Sequence, residues 1–526
     1  MPLQDRKLWF RDPNRSVDSW DPKERPLPVT GNTIETYLEV LDYYVALGKA
    51  IRATRPGVAD LIHIAGWNID LRAYIDKAGA TPRQTLEDVL TIAARGGVEV
   101  RVLMPAQPHD GQDGNLAGAG ALGGGGFLDP FFRLLGTHHQ QFVVIRNADG
   151  LLAFCGGCDL DNARLGRDGV RPDEKQPFSN ALKSAAWHDV RVKVRGPVVT
   201  DLWNSFYQRF QDVAVTYIIV PFADKVITRK PPLSLRKPDA AAAKPTQAGL
   251  DIQVVRTYPN KKKRIRGDEL IVFPKQPGYS FAPQGEMGIY QLLVSALEKT
   301  TTSIYLEDQY LVNTVAMANN PPITDAIRRA IEKDSFKKMV ILVAGTGTVQ
   351  GELLQAGTRR ADFMNQLGPQ AAKKVSTYIY TGDYNSPYWL HSKLWIFDDQ
   401  FVIIGSANCN RRGYSHDSEL DIGIADPNQT TGGKFFAKRL RMDLWLKHLN
   451  ALPVAAGVNA KGKLTEKDVT DFVKAAPLWD QAKLLIRIDF QANPPSDLAA
   501  ASLISQKYPA AVVPLAGLAS RSSDWS

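Results

Sequence analysis

An internal repeat restricts the fold of this chain more than any other sequence feature. Residues 139–159 read as an apolar strand that begins at His139, a turn, a second strand and a glycine-marked loop. Residues 391–408 follow the same order from His391, with a turn three residues shorter. A helix-like stretch and a further apolar strand precede each copy. A repeat of this length predicts that the chain consists of two homologous lobes.

The length and the position of breakers place the boundaries. With 526 residues, the chain exceeds the size at which one hydrophobic core normally stops growing. Residues 221–250 are rich in Pro, Lys and Ala and are predicted to be a crossover between an N-terminal lobe, 1–220, and a C-terminal lobe, 251–450. Residues 451–526 have no counterpart in the first lobe and form a predicted extension of unknown role. Alternating strands and amphipathic helices indicate the α/β class, with a sandwich in each lobe.

The composition narrows the function without deciding it. The net charge of +9 suits phosphate-rich lipid surfaces and nucleic acids equally well. The charged opening stretch gives no Sec signal, and the apolar runs are too short to span a bilayer. Three cysteines are too few for a disulfide framework and suit a reducing compartment. Cys155 and Cys158 have the spacing of a zinc half-site, but no second ligand pair completes it.

The second repeat carries the chemistry of a phosphate site. His391 and Lys393 share one strand face, because side chains alternate with a period of two. The next strand ends in Gly405-Ser406-Ala-Asn408, where small residues allow close approach and the Asn408 amide can donate to a phosphoryl oxygen. An imidazole, an ammonium and an amide therefore converge, which suits stabilisation of a phosphodiester in reaction.

These motifs resemble the phospholipase D superfamily. His391-x-Lys393-x4-Asp398, followed by Gly-Ser-Ala-Asn408, looks like its C-terminal motif. In the first lobe the resemblance extends through Thr137 to Gln140, Gly156 to Asp159 and Trp187 to Val190. The segment Ile304 to Tyr310 resembles a stretch typical of phospholipid-cleaving members. In all, the resemblance covers residues from about 60 to about 450.

The resemblance implies a fold and a set of roles. The two lobes are expected to be related by a pseudo-twofold axis, with a central β-sheet flanked by helices in each and one active site between them. His139 would attack phosphorus to form a phosphohistidine, and His391 would protonate the departing alcohol and then activate water. Asp189 and Glu419 are the expected anchors of the two imidazoles. No cofactor and no metal are implied. The residues expected to contact the substrate are Gln141, Gly157, Asp159 and Ser406. Asp398 is expected to brace its motif structurally.

The first motif departs from the superfamily pattern. Gln141 stands where the pattern has lysine, and Arg146 stands where it has aspartate. A neutral donor stabilises a developing anion less than a charged donor does. Gln141 is expected to share a strand face with His139 and to face a solvent-accessible phosphate pocket, so that Gln141→Lys would raise the rate with little effect on stability. Three explanations stay open: a weakened enzyme, a protein that binds without turnover, or a residue changed to trap a complex.

The leading functional hypothesis is hydrolysis or transfer of a glycerophospholipid headgroup, which leaves phosphatidic acid. The alternatives are a catalytically dead lipid-binding or regulatory protein and a nuclease of the same superfamily. The expected partner is a phospholipid membrane surface, and a monomer is expected because both lobes lie in one chain. The protein would work peripherally from the cytoplasm, or leave by a signal-peptide-independent secretion system. In the second case, as a toxin, it would have a secretion or immunity partner.

Overall fold

The computed structural model describes the central parts of both lobes. The described residues are 9–10, 27–77, 79–105, 125–129, 136–165, 186–214, 218–219, 226–227, 235–239, 242–247, 249–259, 279–314, 320–344, 360, 362–380, 388–428, 435–451, 463–481 and 485–488. Parts of the predicted crossover and of the predicted extension lie outside these ranges, and the domain boundaries stay predictions.

The N-terminal half alternates strands and helices as the apolar patterns predict. Its strands are β1 Val29–Tyr37, β2 Leu61–Ala65, β3 Glu99–Pro105, β4 Gly126–Asp129, β5 Phe142–Asn147, β6 Gly150–Gly156, β7 Ala186–His188 and β8 Arg191–Arg195. Its helices are α1 Val40–Arg52, α2 Leu86–Arg95 and α3 Val199–Ala214, with a 3-10 turn at Asn162–Arg164. A short hairpin, β9 Ile218–Ile219 and β10 Val226–Ile227, follows.

The C-terminal half repeats this arrangement. Its strands are β11 Leu250–Tyr258, β12 Glu286–Met287, β13 Ser303–Asp308, β14 Lys338–Ala344, β15 Val375–Tyr380, β16 Tyr388–Leu390, β17 Lys393–Phe397, β18 Phe401–Gly405, β19 Glu419–Ala425 and β20 Leu485–Ile488. Its helices are α4 Gly288–Lys299, α5 Ile323–Glu332, α6 Ala371–Lys374, α7 Arg411–Ser415, α8 Phe436–Ala451, α9 Glu466–Val469 and α10 Phe472–Ala475, with a 3-10 turn at Ala476–Gln481.

One sheet runs through the described residues of both halves. Its order is β4-β3-β2-β5-β6-β8-β1 in the first half, which continues as β11-β19-β18-β17-β13-β14-β15-β20 in the second. The order is mirrored about the antiparallel β1–β11 pair. In each half the outer strands pair in parallel and the inner strands antiparallel, except that β20 joins the outer edge of the second half antiparallel to β15. The predicted α/β class is confirmed, and the central sheets expected for the two lobes are joined into one.

Apolar packing also joins the halves. The largest core contains Leu61 and Val192 from the first half and Leu394 and Ile422 from the second, all of them buried. Strands such as β2 are buried along their whole length, which is typical of parallel strands covered on both faces. This core therefore fixes the two halves against each other and places both histidine motifs along their shared boundary.

Part of the predicted C-terminal extension belongs to this core. The Trp479 ring packs at centroid distances of 6.0 Å from Tyr305 and 5.5 Å from Trp445. Strand β20 adds to the edge of the sheet by pairing antiparallel with β15. Aromatic rings of this size bury large apolar areas, so the segment stabilises the second half. Among the described helices, none has the length and apolar character required to cross a bilayer.

Candidate active site

His139 lies just before β5, where the first half contacts the second. His138 forms an isolated parallel bridge with Ser418, and the His139 N–H donates to the Ser418 carbonyl at 2.9 Å. This contact brings Glu419 to the imidazole, with Nδ1 at 2.9 Å from Oε1 and 3.0 Å from Oε2. The first imidazole is therefore held by a carboxylate of the second half. His138 is buried, as expected for a structural residue.

His391 has the reciprocal arrangement. Strand β16 pairs in parallel with β7, so that Leu390 lies opposite His188, and the His391 N–H donates to the His188 carbonyl at 2.8 Å. The next residue of the first half, Asp189, places Oδ2 at 2.7 Å from His391 Nδ1. Each imidazole is thus anchored through Nδ1 by a carboxylate from the opposite half.

Anchoring through Nδ1 turns Nε2 of both rings away from their carboxylates. The residues that the structure describes form no hydrogen bond to either Nε2. The two side chains keep 10% and 6% of their surface exposed, which is enough for contact with a ligand. Trp67 lies beside His139 and Trp187 beside His391, with ring centroids 6.0 and 4.6 Å apart. These aromatic walls restrict the access of water to the rings.

Burial determines which protonation state each ring favours. It lowers the pKa of His139 to about 4, and the charge of Lys393 acts in the same direction. Burial also lowers the pKa of His391 well below its usual value, and it raises the pKa of Asp189 to about 7. Removal from water disfavours the charged form of each ring, so burial favours the neutral imidazole at both positions. A neutral imidazole has one unprotonated nitrogen, which can act as a nucleophile or a base.

Lys393 supplies an ammonium group on the second half of the site. Its Nζ lies 3.0 Å from His391 Nδ1 and 3.5 Å from Gln309 Oε1, and it also donates to the His391 carbonyl. Asp308 lies opposite it in β13. Burial lowers the pKa of Lys393, while Asp189 and Asp308 oppose this effect. The ammonium is therefore stabilised by carboxylates on both sides of the interface.

Gln141 differs from the sequence-based expectation. Its side chain is only 2% exposed, and Nε2 donates to Asp159 Oδ1 at 2.7 Å. Its Oε1 accepts from Arg191 Nη2 at 3.3 Å. Asp159 also accepts from Arg164 at 3.0 Å. The expectation that Gln141 is solvent-accessible is therefore wrong, because two buried partners occupy both ends of its amide.

Two further predicted substrate contacts have close protein neighbours. Ser406 is fully buried and donates to Glu419 Oε2 at 2.5 Å, so it orients the carboxylate that holds His139. A Cβ atom on Gly157 would lie 2.7 Å from Lys393 Cδ, so the missing side chain lets the two halves approach. Contact of Ser406 and Gly157 with substrate stays a prediction.

Asn408 is less buried than Ser406. Its side chain follows β18 and is 8% exposed, and its Oδ1 is buried without a hydrogen-bond partner among the described residues. Buried polar atoms of this kind are uncommon and are often found at functional sites. The arrangement leaves the Asn408 amide available for a ligand between the halves, and its contact with phosphate stays a prediction.

Comparison with known proteins connects this geometry to a family. A family model described as "Cardiolipin synthase, PLD-like domain" matches residues 293–437, which include the second motif. Phospholipase D beta 2 of Arabidopsis thaliana is 23% identical over 528 aligned positions, which cover 74% of this chain and 55% of that protein. These matches support membership of the phospholipase D superfamily. Phospholipase D alpha 3 of the same plant is 26% identical over 415 positions, 60% of this chain and 48% of that protein. The chain thus spans about half the length of these two phospholipases D.

Two solved structures are also similar to this chain. One is phosphatidylserine synthase of Haemophilus influenzae Rd KW20, with 13% identity, a TM-score of 0.43, and coverage of 77% of this chain and 85% of that one. The other is polyphosphate kinase of Porphyromonas gingivalis, with 10% identity, a TM-score of 0.40, and coverage of 84% and 54%.

The aspartate position of the phospholipase D motif differs between the halves. Asp398 accepts from the backbone N–H groups of residues 301–303 and from two threonine hydroxyls, at 2.8 to 2.9 Å. Arg146 takes the corresponding place in the first half and donates to the Ala59 carbonyl at 3.0 Å and to Asp60 at 3.3 Å. Both side chains tie the hairpin to the start of the neighbouring strand. Among the described residues, the hydrogen bonds of both side chains go to this neighbouring segment and not to an imidazole.

Sequence reasoning missed a buried cluster behind this phospholipase D-like site. Glu307 lies 2.9 Å from Nε2 of both His188 and His448, and it accepts from the Tyr305 hydroxyl at 2.7 Å. Lys447 Nζ lies 2.8 Å from His188 Nδ1. Two imidazoles and a carboxylate at this spacing could ligate a metal, but these hydrogen bonds already satisfy the ligand atoms. The cluster links both halves and fixes the backbone beside Asp189. The adjacent Trp-His-Asp sequence was its only signal.

Proposed function

We propose that this chain hydrolyses the headgroup phosphodiester of glycerophospholipids to phosphatidic acid, or exchanges the headgroup when an alcohol replaces water. The observation that carries the proposal is the crosswise anchoring of His139 and His391, which leaves one nitrogen of each ring facing a shared space. Membership of the phospholipase D superfamily supports a phosphodiesterase or transferase. The names of the curated relatives support a phospholipid substrate.

In the first half-reaction, the unprotonated Nε2 of His139 attacks phosphorus. The N–P bond forms while the bond from phosphorus to the headgroup oxygen breaks. His391 delivers its Nε2 proton to that oxygen while its Nδ1 takes the proton of the Asp189 carboxyl, so that the ring stays neutral and the alcohol leaves. Glu419 stabilises the positive charge that develops on the His139 ring, in the manner of the carboxylate of a catalytic triad. A low pKa at His139 supports this assignment, because it keeps the ring neutral and nucleophilic.

In the second half-reaction, His391 acts as a base. Its Nε2, now unprotonated, accepts a proton from water while the water oxygen attacks phosphorus and the N–P bond breaks. His139 regains its neutral form, and phosphatidic acid leaves. Asp189 holds His391 Nδ1 at 2.7 Å throughout, which keeps the ring oriented for both transfers. An alcohol in place of water gives headgroup exchange by the same steps.

Charge on the phosphoryl oxygens requires donors that are fixed before the reaction. Lys393 supplies the ammonium, and Asn408 supplies an amide from the end of β18. Donors of this kind are effective because they are already oriented and lie away from bulk water. Side chains carry out all of the proposed steps, without a metal or a cofactor. The net charge of +9 favours peripheral binding to an anionic membrane surface.

The deciding experiment measures headgroup release from vesicles that contain phosphatidylcholine, phosphatidylethanolamine and phosphatidylglycerol, with degradation of DNA and RNA measured in parallel. Release of headgroups by the parent, and none by His391→Ala, is the expected result. Nucleic acid degradation without lipid cleavage would establish the nuclease alternative. Vesicle binding without any product would favour the catalytically dead, lipid-binding alternative that Gln141 raises.

A further inference from the structure

The two halves of the site carry their charges at exchanged positions. Strand pairing aligns Gly156 with Arg191 in the first half and Gly405 with Asp421 in the second. Gln141 precedes β5, whereas Lys393 opens β17 at the corresponding place. The second half therefore pairs a lysine with an aspartate, where the first half pairs a glutamine with an arginine. The first half therefore keeps a positive charge, but at position 191 instead of position 141.

Arg191 explains why a neutral residue occupies position 141. The Arg191 side chain is buried behind β6, and its guanidinium lies 4.5 Å above the Tyr43 ring. A Cβ atom on Gly156 would lie 2.9 Å from Arg191 Cδ, so the glycine makes room for the arginine. A lysine at 141 would face this guanidinium, and two buried like charges repel each other strongly. Gln141 instead accepts a hydrogen bond from Arg191 through Oε1 and donates one to Asp159 through Nε2.

Asp159 extends the chain of contacts to a second arginine. Its Oδ1 accepts from Gln141 and its Oδ2 from Arg164 Nη2 at 3.0 Å. The Arg164 guanidinium lies 3.6 Å above the Trp187 ring, and that ring lies 4.6 Å from the His391 imidazole. Stacking on an aromatic face holds an arginine in one orientation at little cost in hydrogen bonding.

Arg164 combines a fixed position with unused donors. No hydrogen bond to its Nε or Nη1 comes from the described part of the chain. The side chain is 11% exposed, close to the 10% of His139 and the 6% of His391. By contrast, Arg191 is 2% exposed and lies behind Gln141. Of the two arginines, Arg164 is the one that a ligand between the imidazoles can reach.

We propose that Arg164 is the phosphate-binding cation of the first half and takes the place of the lysine that Gln141 lacks. Its guanidinium donates to a nonbridging phosphoryl oxygen from the side opposite Lys393. Asp159 and Gln141 position Arg164, and Arg191 holds Gln141. This inference deepens the proposed function and rests on it for the reaction, but phosphate binding by Arg164 can be tested without turnover.

The test compares Arg164→Gln, Arg164→Lys and the parent in two measurements. Calorimetry with inorganic phosphate at fixed salt gives binding, and headgroup release from vesicles gives kcat/KM. Arg164→Gln should weaken phosphate binding by ~10-fold and lower kcat/KM by ~10²-fold, as expected for loss of one charged donor. Arg164→Lys should recover part of both effects. If Arg164→Gln does not fold, Arg164→Lys still decides, because a single ammonium should bind phosphate several-fold more weakly than the guanidinium.

Arg441→Gln is the matched control. Arg441 also pairs with an aspartate, Asp399, at 2.8 Å and also lies over a tryptophan, but it is fully buried and lies on α8. A loss of folding stability alone would affect both variants alike. Adding Gln141→Lys should not restore kcat/KM in the Arg164→Gln background, because the new ammonium would face the buried Arg191 guanidinium.

The outcomes separate the two proposals. Phosphate affinity of Arg164→Gln within twofold of the parent would overturn the inference, and so would an equal loss in Arg441→Gln. A parent that does not bind phosphate would overturn it as well. A parent that binds phosphate in an Arg164-dependent manner but releases no headgroup would support the inference and reject the proposed function.

Discussion

The two halves of the site share a backbone and differ in their electrostatics. In both, a histidine precedes a buried hairpin and is held through Nδ1 by a carboxylate of the opposite half. The second half has a lysine two residues after its histidine and an aspartate, Asp421, two strands away on β19. The first half has Gln141 and Arg191 at the same places. A conserved backbone thus supports two different charge arrangements.

This difference suits the two roles proposed for the imidazoles. A nucleophile must be neutral before it attacks, whereas an acid must hold a proton until the leaving group departs. Lys393 Nζ lies 3.0 Å from His391 Nδ1, within the pair formed with Asp189, whereas no lysine of the described residues hydrogen-bonds to the His139–Glu419 pair. Each proposed role therefore has its own surroundings.

The largest effect is expected when each imidazole is removed. His391→Ala and His139→Ala should each lower the rate of headgroup release by ~10³-fold or more, because acid catalysis and the nucleophile are both lost. The comparison becomes sharper with a p-nitrophenyl ester, whose leaving group needs no proton. On this substrate His391→Ala should accumulate a covalent adduct on His139, detected by intact-protein mass spectrometry. An adduct on His391 in the His139→Ala variant would reverse the assignment, and parental activity of either variant would reject it.

The next effect concerns the lysine that distinguishes the second half. Lys393→Gln gives both halves a glutamine and should reduce kcat by ~10²-fold to ~10³-fold, the usual result of losing one preorganised donor. Circular dichroism and thermal unfolding provide the control for folding. A reduction below threefold would mean that the second half does not depend on its ammonium.

A smaller effect is expected on stability, from Asp421. Burial raises the pKa of Asp421 to about 8, so the folded chain keeps this proton to higher pH than the unfolded chain, which releases it near pH ~4. Deprotonation therefore favours unfolding progressively as pH rises from ~4 to ~8. Asp421→Asn removes this dependence. Its free energy of unfolding should exceed that of the parent by on the order of 1–3 kcal/mol at pH 8 and by much less at pH 5.

Urea unfolding at both pH values measures this difference, with Asp334→Asn as the control at an exposed position. Arg191, at the place that corresponds to Asp421, stays charged in the folded and unfolded chain. Of these two corresponding positions, only Asp421 should therefore contribute to the pH dependence. A constant difference between pH 5 and pH 8 would contradict this expectation.

The smallest effect is expected from removal of divalent ions. Side chains supply the positive charge in both halves of the proposed site. Chelator treatment should therefore change headgroup release from detergent-dispersed lipid by less than ~2-fold. Dispersed lipid is used because calcium also alters vesicle surfaces. Complete loss of activity, restored by one divalent ion, would show that a metal takes part in the chemistry.

The repeat and its local signals made much of this arrangement predictable. Alternating apolar strands gave the α/β class, and the two histidine motifs gave the positions of His139 and His391. Corresponding places in the repeat identified Asp189 and Glu419 as candidates, because equivalent residues occupy equivalent positions in two related lobes. The short segment around Asp398 also indicated bracing, which its hydrogen bonds to residues 301–303 match.

The surroundings of Gln141 could not be read in the same way. The error was to treat a missing charge as a local property of one strand. Arg191 reaches Gln141 from two strands away in the sheet, and Arg164 comes from a turn after β6. These contacts depend on strand register and burial, which spacing within a motif does not reveal. The role of Trp479 was hidden for a related reason, since its partners Tyr305 and Trp445 are distant in sequence.

The crosswise anchoring has a consequence for the history of such chains. A lobe of this kind on its own would lack the carboxylate for its histidine and would have to borrow it from a second copy. In a pair of identical copies every substitution appears twice, so Lys393 could not stay while its counterpart became Gln141. Joining the lobes in one chain removes this restriction. Covalent duplication therefore allows the nucleophile and the acid to be tuned by separate mutations, which an assembly of identical subunits does not permit.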